Sequence, residues 1–182
     1  MQYEHLIISR VNVKWTDYYD NKEWLNKRVD LLNKTLRESI KYQTNKNFKF
    51  ITLWGTEPIG KIDNEIQIII ESKGNKLILD EIKLKLNDYI NKEYVLTTRI
   101  DSDNCLGETY VENLHKNIIV NKYPYYYDIK KMDIYNINND NTRTWESKKT
   151  SGFISVMEKF NDYKCIPYSY NHSKISDIID GI

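Results

Sequence analysis

Two aspartates, Asp101 and Asp103, stand one serine apart where the apolar, β-branched run YVLTTRI (94–100) ends without a turn residue. Two like charges at a strand tip repel, and neither is buried cheaply. At positions i and i+2 of a regular strand they point to one face, so at its end they can converge on one cation or one metal-bound phosphate. Hard oxygen ligands favour magnesium or manganese over zinc. With three histidines and two cysteines, the chain lacks the density of soft ligands that a zinc site shows.

Three other readings compete. The pair can be a solvated turn in which Asp and Asn bond nearby amides. An EF-hand loop would put Asp101, Asp103 and Glu112 at its first, third and twelfth positions. Yet Leu106 stands where that loop requires glycine, Cys105 is a poor calcium ligand, and a strand rather than a helix precedes. A two-metal phosphoryl-transfer site needs further carboxylates from other strands, and nothing before residue 100 offers an obvious one.

The elements that must position the pair follow from hydrophobic period. HLIIS (5–9), FKFITLW (48–54), IQIII (66–70) and YVLTTRI (94–100) read as strands. Asp20 or Asn21 can cap a helix whose apolar positions Leu25, Val29, Leu32, Leu36 and Ile40 recur at three and four. A second helix presents Leu79, Ile82, Leu86 and Tyr89, and a short third one packs by Val111, Leu114 and Ile118. The order β, α, β, β, α, β, α predicts an α/β domain with a mostly parallel sheet flanked by helices and right-handed crossovers. Ligands of such sheets bind beyond the carboxyl ends of the strands. SRVN (9–12), the loop after Trp54 and RIDSDN (99–104) therefore share one rim. Beyond residue 120, YPYYYDIKKMDIYNI reads as an antiparallel hairpin, and NNDNTRTWESKKTS as a loop.

The 182 residues suit one domain with a substantial core. Twenty-seven basic side chains face twenty-six acidic ones, a net charge of +1, so no global field steers the chain to nucleic acid or an anionic membrane. With no signal-like N-terminus and no run approaching a membrane span, a soluble, cytoplasmic protein is expected. Cys105 and Cys165, sixty positions apart, read as reduced structural thiols.

SRVNVKW, WLNKRVDLLNKTLRESIKYQTNKNFKFITLW, VLTTRIDSDNCLGETYVENL and SGFISVMEKF followed by a histidine together resemble the rhamnosyltransferase-like glycosyltransferases, a family of the GT-A type. The similarity runs from about residue 5 to residue 175, and TTRIDSDN matches the family's TTRLDxDD signature except that Asn104 replaces its last aspartate. The resemblance implies a single GT-A-like domain over 1–182, with a nucleotide-sugar-binding half (1–105), an acceptor-side half (106–182) and the antiparallel hairpin in the C-terminal third. It also implies a hexosyltransferase, with rhamnose as one sugar it could move, taking a nucleoside-diphosphate sugar as donor and a glycan or other hydroxyl as acceptor. Asp101 and Asp103 become the DxD pair holding Mn²⁺ or Mg²⁺ against the donor diphosphate. By the same resemblance His172, in YNHSK, would complete the metal site, against the reading of a lone histidine as structural or solvent-exposed. Asn12 and Trp15 fall in the loop where GT-A proteins receive the nucleotide, Trp15 either as a ring that stacks on the base or as core packing, and Ser102 sits within the motif as a further contact to it.

Cleaving a sugar from a diphosphate requires stabilising the leaving group's growing charge, which a metal with Arg or Lys provides. Arg10 and Arg99 are the candidates for phosphate, against ordinary surface ion pairs. Glu158, in FISVMEKF, is the candidate base for deprotonating an acceptor hydroxyl. Tyr125, Tyr126 and Tyr127 can stack on an acceptor sugar or serve as half-buried packing. Two rivals remain at this level. A sugar nucleotidyltransferase would want a glycine-rich loop near the N-terminus, whereas the first glycine is Gly55. A non-catalytic glycan-binding module on the same fold would tolerate Asn104.

Overall fold

The computed structural model describes residues 2–15, 19–118, 124–129, 131–136, 141–146 and 153–169. In chain order these form β1 (Tyr3–Arg10), α1 (Lys22–Leu32), a π turn (Asn33–Arg37), α2 (Glu38–Lys41), β2 (Lys49–Trp54), β3 (Glu65–Ile69), α3 (Asn75–Asn87) and β4 (Tyr94–Asp101). There follow α4 (Tyr110–Asn117), β5 (Tyr125–Asp128), β6 (Lys131–Asn136), β7 (Asn141–Glu146), β8 (Ile154–Lys159), a 3₁₀ turn (Phe160–Asp162) and α5 (Ile166–Ser169).

Six strands make one sheet in the order β3-β2-β1-β4-β8-β5. The β1–β2, β1–β4 and β2–β3 pairs are parallel, and β8 runs antiparallel to both β4 and β5. This mixed α/β arrangement, mostly parallel, flanked by helices and carrying an antiparallel pair near the C-terminus, is the GT-A-like layout expected. β1 lies inside it and is apolar on both faces, as a parallel strand covered on both sides must be. Leu6 and Ile8 pack toward Ile78, Ile82 and Leu86 of α3, while Ile7 packs toward Leu25, Val29, Leu32 and Leu36.

The first helix starts where Asn21 accepts the Trp24 N–H at 3.0 Å. All five predicted apolar positions, Leu25 through Ile40, are buried. The period does not foretell the π turn within this stretch, which leaves Arg37 fully buried under the sheet edge. There the guanidinium meets Glu65 through Nε at 3.0 Å and Nη2 at 2.9 Å, and it also donates to Asn33, Ile59 and Gly60. Glu65 accepts further from Thr52 Oγ1 at 2.7 Å and the Ile62 N–H at 3.0 Å. A buried charge is tolerated only when so fully paired, and this pair ties the loop after β2 to the helix.

In α3 the buried stripe is Ile78, Ile82 and Leu86, continued by Ile90, with Leu79 and Tyr89 at its margin. The hairpin of the C-terminal third is present, but its strands differ from those predicted. Tyr125–Asp128 joins the main sheet against β8, and Lys131–Asn136 pairs instead with Asn141–Glu146. The segment read as a loop thus contains a strand, because its β-branched Thr142 and Thr144 and its Trp145 suit a pleated ladder better than its polarity suggests.

Candidate functional site

Strand order reverses between β1 and β4: from β1 the chain adds β2 and β3 on one side, then returns to add β4 on the other. Such a switch point leaves a crevice beyond the carboxyl ends of the two strands. Arg10 and Asp101 end the two strands there as register partners.

Around them two arginines gather on one carboxylate. Arg10 Nη2 lies 3.7 Å and Arg99 Nη2 3.9 Å from the same oxygen, Oδ1 of Asp101. Both separations are too long for hydrogen bonds. The Asp101 side chain keeps 40% of its surface open, against 27% for Arg10 and 12% for Arg99. Aromatic rings complete the enclosure: the Arg10 guanidinium carbon lies 4.5 Å from the Trp15 ring and 5.6 Å from that of Tyr168, and the Arg99 carbon is also 5.6 Å from Tyr168. Burial makes the Arg10 charge costlier and lowers its pKa; Arg99 and Arg28 add to that, while Tyr168 and Asp101 oppose it.

The donors of this cluster are poorly used. Arg99 reaches the Pro167 carbonyl at only 3.4 Å, and among the described residues its Nε–H and the Trp15 Nε1–H are buried without an acceptor. Unmade bonds of that kind carry a full desolvation cost. An anion entering the crevice would supply the missing acceptors.

The other predicted residues divide. Asp103 is exposed in the turn closed by the Asn104 N–H on the Asp101 carbonyl at 3.1 Å. Ser102 is fully buried, with its hydroxyl lacking a partner among the described residues and its backbone carbonyl 3.4 Å from Thr35 Oγ1. Asn12 is at the rim but its amide is occupied: Oδ1 accepts the Gly55 N–H at 3.0 Å, and Nδ2 donates to Thr56 Oγ1 at 2.7 Å and the Tyr19 carbonyl at 2.8 Å. It joins the loops after β1 and β2. His172 lies outside the described residues.

Glu158 is not brought to the aspartates. Its register partner is Val95, six residues before Asp101 on β4, which is about 20 Å along a strand. Both of its oxygens are engaged, by the N–H of Lys164 at 2.9 Å and of Ile166 at 3.0 Å. Burial pushes this carboxyl up to about 7, against the pull of those two N–H groups and of Lys164 and Lys83. Its place is at the root of the segment that crosses the sheet face toward the rim. Tyr125 and Tyr127 are half-buried and pack edge-on at 5.0 Å.

Tyr168 went unseen in the sequence, since CIPYSY has no period to mark it. The hydroxyl donates to the Ile8 carbonyl at 2.6 Å, and burial raises the phenol, keeping it a donor. A second unseen cluster lies on the opposite face, where His5 bonds His115 at 2.9 Å and Thr98 at 2.8 Å, and Thr98 bonds Ser155 at 2.6 Å.

No helix among the described residues is long and apolar enough to cross a membrane. A search of curated proteins gives no match. The model of a family described as "Putative rhamnosyl transferase" matches residues 11–181, which takes in the loops after β1, β2 and β4 and begins one residue after Arg10. A family of that description supports glycosyltransferase activity, with a sugar donor and an acceptor. The chain therefore belongs to this rhamnosyl transferase family.

Proposed function

We propose that the protein transfers a sugar from a nucleoside-diphosphate donor to a hydroxyl of a glycan or similar acceptor, with the donor diphosphate held at the rim of β1 and β4. The observation that carries this reading is the under-used arginine pair at the switch point: two guanidiniums share one distant carboxylate and retain a buried N–H without an acceptor. Guanidiniums are suited to bidentate contact with phosphate oxygens. Arg10 and Arg99 would bind and orient the diphosphate and stabilise the charge it gains as the sugar leaves.

A divalent ion fits the donor set. Asp101 and Asp103 offer hard carboxylate oxygens on a turn that solvent reaches, and among the described residues no third His, Cys, Asp or Glu joins them. That leaves room for diphosphate oxygens and waters, as magnesium and manganese prefer. His172 remains the proposed additional ligand, and the ion would supply charge neutralisation at the diphosphate. Glu158, with both oxygens committed to backbone N–H groups, is not assigned as the acceptor's base in this reading.

The test is calorimetry with Mn²⁺ and a panel of nucleoside diphosphates. Metal-dependent binding of at least one, lost in the Asp101→Ala, Asp103→Ala double variant, is expected. Absence of binding, or binding indifferent to the double variant, would overturn the proposal.

A further inference from the structure

The segment after β8 is pinned to the sheet at successive points. The Phe160 N–H donates to the Glu93 carbonyl at 2.8 Å, Tyr163 and Thr97 bond through their hydroxyls at 3.0 Å, and Glu158 accepts from Lys164 and Ile166. Cys165 turns the chain with a φ of +52°. That is an uncommon conformation for a side chain with a Cβ. After that turn α5 sets Tyr168 at the end of β1, its hydroxyl fixed on Ile8 and its ring equally near both guanidiniums, 5.6 Å from each.

We infer that Tyr168 is a positioning residue, whose ring face holds the planes of Arg10 and Arg99 in the orientation that receives a diphosphate. The Trp15 ring lies 4.5 Å from the Arg10 guanidinium carbon as well, so among the described residues Arg10 meets two rings and Arg99 one. An arginine side chain is long and rotamer-rich, and a bidentate contact demands a set plane. At this rim the set comes from aromatic rings, because the one described carboxylate partner stands too far off for hydrogen bonds. The attraction of a cation for a ring face also lets two like charges share a small space. This inference rests on the proposed function for what the arginines receive, and on geometry alone for how they are held.

The experiment compares three proteins with the native chain: Tyr168→Phe, which keeps the ring and loses the bond to Ile8; Tyr168→Leu, which keeps apolar bulk and loses the ring; and a fully fluorinated phenylalanine at position 168, which keeps the shape and inverts the ring's charge distribution. Two readouts are taken, the arginine Nε–H resonances without ligand and calorimetric titration with inorganic pyrophosphate. Loss of one such ring contact should weaken pyrophosphate binding about tenfold in Tyr168→Leu. The Arg10 and Arg99 Nε–H signals should move with it, while Tyr168→Phe stays close to native in both. Should the leucine variant fail to fold, the fluorinated ring gives the same comparison, and weakened binding is again expected. Unmoved arginine signals in the leucine or fluorinated protein, or a Tyr168→Phe defect as large as that of leucine, would overturn the inference. If the native protein binds no pyrophosphate, the titration is read with Mn²⁺ and a nucleoside diphosphate, whose failure to bind would overturn the proposed function, and the arginine resonances still decide the role of Tyr168.

Discussion

Arg10 and Asp101 are register partners at the ends of two parallel strands, yet guanidinium and carboxylate stay 3.7 Å apart. A pair at that distance attracts without being locked together. Removing the carboxylate should therefore have opposite effects on two ligands. In Asp101→Ala, metal-free inorganic pyrophosphate should bind about threefold to tenfold more tightly, because one repelling charge near the site has gone. Mn²⁺-dependent nucleoside diphosphate binding should fall in the same protein. Calorimetry with and without Mn²⁺ reads both signs, and equal changes of one sign would contradict the assignment.

The Arg37–Glu65 pair predicts a large stability effect far from any ligand. Glu65→Ala leaves a fully buried guanidinium without its carboxylate, a change that costs about 3–5 kcal/mol. The denaturant midpoint should drop accordingly. Replacing both residues by apolar ones should recover only part of the loss, since Glu65 also serves Thr52 and Ile62.

Acid should weaken the fold through the paired histidines. Asn45 Oδ1 is taken by the Asn47 N–H at 2.9 Å, so its NH₂ faces His115 Nδ1 at 3.2 Å. That leaves His115 Nε2 to donate to His5, whose own Nε2–H then donates to Thr98; each imidazole is neutral. Burial lowers both pKa values, His5 well below the ordinary range with His115 adding to the effect. The unfolded chain then binds protons that the folded one refuses. The stabilisation is thus present above the unfolded value of about 6.5 and fades as pH falls below it. Urea titrations across that range should show the decline, and His115→Gln should flatten it.

Glu158 carries the opposite sign. Its carboxyl is raised to about 7 by burial, so the folded state holds this proton more tightly than the unfolded one. The contribution is full below the ordinary carboxylate range and lost as pH rises through about 7. The contribution of Glu158 to the denaturant midpoint should consequently fall between the ordinary carboxylate range and about pH 7, as urea titrations can measure. In Glu158→Gln that fall should vanish.

How much of this was legible in the sequence depends on whether a residue's role arises from local period or from distant partners. The apolar stripe Leu25–Ile40, the parallel strands and the rim bearing Arg10, Arg99 and Asp101 all follow from patterns a few residues long. Side-chain commitments do not. Asn12 is indistinguishable in sequence from a free amide, and only the fold reveals Gly55, Thr56 and Tyr19 around it. Glu158 follows an apolar strand much as Asp101 does, but β8 runs antiparallel to β4 and delivers it to the other end. The direction of β8 is set by tertiary pairing, which no period within FISVMEKF encodes. Tyr168 depends on a bond to Ile8 across 160 positions.

That last separation has a temporal side. During synthesis β1 emerges first, and the strands that flank it can pair as they follow. The ring that faces both arginines arrives only after the sheet has drawn in β8. Contacts of such long span form late and slowly. Because Tyr168 follows β8 in the chain, the ring beside Arg10 and Arg99 can take its place only after every strand of the main sheet has been synthesised.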